Sequence, residues 1–138
     1  MYSKYLLMRS LAGVFALILV ASAFASAGPD PKGNLTKAIE PMQMMYAELK
    51  LDNGKEDKSI DWVYVKEEGD KARGFIEAAI KDLDDPAYEL YSEARRDAAE
   101  AKENLEKTLS KVAAKSRAES LSYLDDTFKS IKEAKRTL

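Results

Sequence analysis

Residues 62–83 read WVYVKEEGDKARGFIEAAIKDL. Within them Trp62, Val65, Gly69, Ala72, Ile76, Ala79 and Leu83 follow one another at alternating steps of three and four. That spacing keeps one face of an α-helix apolar from end to end and forms an a/d seam, which needs partner helices to cover it. Gly69 on the seam costs about 1 kcal/mol of helix propensity. A neighbour is therefore expected to come close there, either another backbone or a bulky side chain.

Three further stretches supply the partners. Upstream, from about Leu35 to Leu51, the stripe is Leu35, Ala38, Met42, Met45 and Leu49, with Pro41 predicting a kink or a short leading turn. Asp52-Asn53-Gly54 ends it, and a loop to Ser59 follows. Downstream, Asp85 is placed to cap and Pro86 to open a third helix carrying Ala87, Tyr91, Ala94, Ala98, Ala101, Leu105 and Val112. Alanines in its middle allow a neighbour close or leave room for a cavity. Ser116-Arg117-Ala118-Glu119 has the form of a capping box for a fourth helix with Leu121, Leu124, Phe128, Ile131, Ala134 and Leu138. No β-branched alternation or hairpin signal occurs. The expected fold is all-α, an antiparallel up-down-up-down four-helix bundle over residues 34–138.

The N-terminal 27 residues have another character. Lys4 and Arg9 precede an apolar run from Leu11 to Ala23, and Ala25-Ser26-Ala27 has the A-x-A form of a signal-peptide cleavage site. Residues 1–27 are thus expected to direct export and to be removed, with Gly28 to Gly33 a disordered Pro/Gly tail. Once the leader is cleaved no stable membrane insertion is expected, since the run is short for a hydrocarbon core of about 30 Å. The remaining chain has 20 basic against 24 acidic residues with both signs interspersed, which argues against nucleic acid as a partner. An exported domain without cysteine must hold by packing alone, and this favours a bacterial periplasm.

The chain has no His and no Cys. Disulfides, thiol nucleophiles, His-based triads and His-containing zinc or di-iron sites are excluded. Met42, Met44 and Met45 are the one cluster of soft ligands, weak candidates for Cu(I), and Met42 or Met45 could ligate a non-covalent haem. Met42 and Met45 also lie on the core stripe, where Met ordinarily fills gaps. Tyr64, Phe75, Tyr88, Tyr91, Tyr123 and Phe128 read as core or as the lining of a ligand pocket. The carboxylates Glu67, Glu68, Glu100, Glu103, Asp125 and Asp126 could suggest an acid/base pair, but those on the third and fourth helices fall off the seams and are expected to face water, and nothing would desolvate and tune such a pair. No phosphate loop or nucleophile elbow is present. No enzyme activity is expected.

The last helix carries a more specific pattern, Phe128-Lys129-Ser130-Ile131-Lys132-Glu133-Ala134-Lys135-Arg136. Together with the Met42/Met45 pair and the four-helix plan, it resembles the cytochrome c′ family and its b-type bundle relatives. The resemblance implies that Phe128 and Ile131 stand where that family has its two haem-linking cysteines. Lys132 would stand at the proximal histidine, and Lys129 and Arg136 match flanking basic positions. All three haem-attaching residues are replaced, so covalent haem is excluded and no cofactor is expected. The resemblance also implies a homodimer through the first two helices. The leading expectation is a periplasmic, non-catalytic bundle with a binding or structural role. Its rivals are a carrier of non-covalent haem or Cu(I), and a chaperone-like helical protein with an apolar groove.

Overall fold

The computed structural model describes residues 28–50 and 59–138. Among them are four α-helices and no strand: α1 (Pro31–Leu49), α2 (Trp62–Leu83), α3 (Ser92–Ala113) and α4 (Arg117–Arg136). Leu51, the loop from Asp52 to Lys58 and the leader of residues 1–27 lie outside the described residues. α1 packs mainly on α2 and α3 mainly on α4, while α2 meets α3 less extensively and α1 meets α4 least. The apolar stripes converge on one core that includes Leu35, Met42, Met45, Ile76, Leu83, Leu105, Leu124 and Ile131. This packing is that of a helical bundle, and none of the helices described is long and apolar enough to cross a membrane.

α1 begins inside the segment expected to be a loose tail. Asp30 is the cap, its carboxylate accepting from the Gly33 N–H at 2.9 Å, and Pro31 occupies the first helical position. The Asp30 N–H and the Asn34 amide both donate to one oxygen of Asp82, at 3.1 and 2.7 Å, and so fasten the start of α1 to the last turn of α2. Pro41 is buried within α1, which runs from Pro31 to Leu49 without a separate leading turn. At the far end the Asp61 N–H donates to Glu48 at 2.9 Å, while the Asp61 carboxylate caps α2 by accepting from the Tyr64 N–H.

Three other expectations need correction. Asp85 and Pro86 do initiate a helical turn, but it is the 3₁₀ turn Pro86–Tyr88, and α3 starts only at Ser92. Ala87 and Tyr91 are therefore exposed and do not belong to the α3 stripe. The capping box at Ser116 does not form. α3 ends with Lys115 at φ 53°, and the N–H groups of Lys115 and Ser116 donate to the carbonyls of Val112 and Lys111, both at 2.9 Å. This Schellman closure already uses the Ser116 N–H that Glu119 would have satisfied. Finally, the centre of the α4 stripe is Ser120, Leu124, Thr127, Ile131 and Ala134, with Leu121, Phe128 and Leu138 on its half-buried flanks. Thr127 can be buried because its hydroxyl donates to the Tyr123 carbonyl at 2.8 Å.

Candidate functional site

α1 turns its three methionines to two different sides. Met42 and Met45 have no exposed surface and belong to the core, whereas Met44 is 44% exposed. The trio is therefore divided between the core and the surface of the bundle. No group of three acidic residues that could hold a metal occurs among the described residues. The close approach expected at Gly69 comes from a bulky side chain. A Cβ built there would overlap Leu109 Cδ2 and lie 3.1 Å from Met45 Cε, so these two side chains fill the space.

Met44 lines an open groove of about 360 Å³ along α1 and α2, with Pro41, Tyr64 and Phe75 as its other apolar members. Lys37, Glu40, Glu68 and Lys71 supply charges of both signs. Glu68 is buried, and its carboxylate accepts from the Lys71 ammonium at 2.9 Å. That hydrogen bond, followed by the carboxylate's charge, holds Lys71 above its ordinary range. Asp97 is buried as well, with the Arg96 guanidinium 3.3 Å away. Both positions had a signal in the sequence. Glu68 follows Val65 by three and precedes Ala72 by four; Asp97 stands in the same relation to Ala94 and Ala101. The surface pair Glu103–Lys107 forms at 3.2 Å, and Lys111 bonds Glu119 of α4 at 2.6 Å.

Of the positions singled out on α4, Phe128, Ile131 and Lys132 come together, while Lys129 and Arg136 stand outside the groove they line, which takes Lys135 instead. Phe128, Ile131, Lys132 and Lys135 follow the i, i+3, i+4, i+7 row of one helix face and, with Ile39 of α1, line a groove of about 330 Å³. Ile131 is only 1% exposed and makes the floor, Phe128 and Ile39 are half-buried walls, and Lys132 is exposed at the rim. No carboxylate lines this groove. Neither the Lys132 nor the Lys135 ammonium has an ion-pair or hydrogen-bond partner among the described residues. A third concavity on α3, formed by Arg96, Ala99, Glu100, Glu103, Asn104 and Lys107, again mixes both signs. The α1–α4 groove is thus the apolar and purely cationic one of the three.

No protein-family model, curated protein or solved structure matches this chain.

Proposed function

We propose that this is an exported, non-catalytic binding protein, an antiparallel up-down-up-down bundle similar to the cytochrome c′ family but with its haem site closed by packing. The observation that carries this reading is the filled interior at Gly69, where Leu109 and Met45 occupy the space that a missing side chain leaves. Burial of Met42, Met45 and Ile131 supports it, because these side chains fill the interior and leave at Phe128 and Lys132 only a surface groove. Chain direction is supported by the end contacts. The start of α1 meets the end of α2 through Asp82, and Arg117 at the start of α4 donates to the Leu49 and Lys50 carbonyls at the end of α1. Its two buried carboxylates, Glu68 and Asp97, each sit beside a cation, Lys71 and Arg96, and with the remaining polar chemistry in surface grooves the protein acts by binding.

Circular dichroism of the purified protein without haem or metal tests the reading, together with haem titration. The expected result is a strongly helical spectrum, cooperative unfolding and no Soret band. An unfolded chain, or a stoichiometric Soret band, would overturn it. Pairing of two copies belongs to the same proposal and is supported by the exposed Met44 beside Tyr64 and Phe75 on the α1–α2 face. Sedimentation at micromolar concentration should then show a dimer, and a monomer alone removes pairing.

A further inference from the structure

We propose that the groove between α1 and α4 binds a free fatty acid, with the alkyl chain on Ile39, Phe128 and Ile131 and the carboxylate at Lys132 and Lys135. The inference deepens the reading of this protein as a binding bundle and rests on it.

The first argument is charge. The chain as a whole is acidic, with a sequence pI near 5.3. The other two grooves each balance two cations against two carboxylates, and Glu68 already engages Lys71 while Glu103 engages Lys107. Between α1 and α4 two ammoniums stand three residues apart on one helix face with no carboxylate in the lining. A ligand anion there completes a charge pair without displacing an internal one. A cationic or zwitterionic head gains nothing comparable.

The second argument is the combination of those charges with an apolar floor. A soluble anion such as acetate would use the lysines but leave Ile39, Phe128 and Ile131 wet. An alkyl chain covers them and takes their apolar surface out of water. The groove's volume of about 330 Å³ is at the small end of the range for ligand sites, which suits one chain and not the two of a diacyl lipid. The slot lies between two helices, along the neighbour contact that is least extensive in the bundle, so a chain can lie there without the core opening.

The test is calorimetric titration with dodecanoate below its micelle concentration, using protein made from the full coding sequence and purified from the compartment where it accumulates. Dodecanoate should saturate at one equivalent, dodecanol should bind about tenfold more weakly or worse, and acetate and dodecyltrimethylammonium should not bind. The double variant Lys132→Glu/Lys135→Glu should lose about tenfold or more in affinity for dodecanoate. Lys66→Gln, on the exposed face of α2, should bind as the parent does. Amide and methyl shifts of the unmodified protein need no variant, and they should concentrate on Ile39, Phe128, Ile131 and Lys135.

Equal affinity for dodecanol, shifts centred on Met44, Tyr64 and Phe75, or association only with oleate-containing vesicles would each overturn the proposal. A helical, haem-free protein that ignores dodecanoate sinks this inference alone. A chain that is unfolded without haem sinks the reading beneath it.

Discussion

The two flanks of α4 are built differently. Toward α3 the contact is the most extensive in the bundle and has several polar ties. The Asn104 amide donates to Ser130 Oγ at 3.3 Å, the Lys107 ammonium lies 6.0 Å from the Tyr123 ring centroid, and Lys111 pairs with Glu119 at 2.6 Å. Toward α1 the contact is clasped near one end by Arg117 and then opens into the groove. Two physical causes separate the flanks. The α3–α4 link is only Ala114, Lys115 and Ser116, closed by the Schellman bonds, so those helices meet through local contacts. Ala94, Ala98 and Ala101 also keep the buried side of α3 slim. On the α1 flank the facing residues Ile39 and Phe128 are bulkier than alanine, and the contact there is less extensive.

The contrast is sharpest in truncations along α4. Leu124 has no exposed surface, and Leu124→Ala should cost about 2–5 kcal/mol in chemical denaturation. A loss below about 1 kcal/mol would mean that the central stripe of α4 is not the bundle's core. Arg117→Ala removes two hydrogen bonds from a charged donor, to the Leu49 carbonyl at 2.7 Å and the Lys50 carbonyl at 2.9 Å. Allowing for its partial exposure, the cost should be about 1–2 kcal/mol, with faster amide exchange in the last turn of α1. Unchanged exchange there would show that the clasp does not hold the flank. Phe128→Ala at the groove wall should cost only about 1 kcal/mol, roughly half of what burying a whole Phe contributes. A loss as large as that of Leu124→Ala would close the groove and remove the difference between the flanks.

The sequence carried the stripes and the special place of Gly69, because core-facing positions at steps of three and four survive any detail of packing. It did not carry the ends. Pro86 after Asp85 opens a 3₁₀ turn with the same residues that open an α-helix, so the start of α3 was legible only once Tyr91 and Leu90 were seen to be exposed. The left-handed Lys115 has no glycine to announce it, and its closure is what disables the capping box. Of the candidate groove, the Phe128, Ile131, Lys132, Lys135 row could be read from spacing alone. That Ile39 faces it, and that no carboxylate does, is tertiary information.

The smallest effect expected belongs to the α3 flank's ion pair. The Lys111 ammonium is held above its ordinary value of 10.5, first by its hydrogen bond to Glu119 and then by that carboxylate's charge. A cation whose folded pKa exceeds its unfolded one adds stability that is fully present below the unfolded value. That stability fades as pH rises through the folded value. Lys111→Met keeps the aliphatic stem and removes the charge, so its urea midpoint should fall slightly below the parent's at neutral pH. The gap should shrink in high salt, because the pair is solvent-accessible, and close above pH 10.5 as the parent loses its proton. Lys132→Met on the other flank removes no ion-pair partner among the described residues, so its urea midpoint at neutral pH should stay at the parent's. A Lys111→Met gap that persists in alkali would mean that packing, and not the ion pair, distinguishes the closed flank of α4 from the open one.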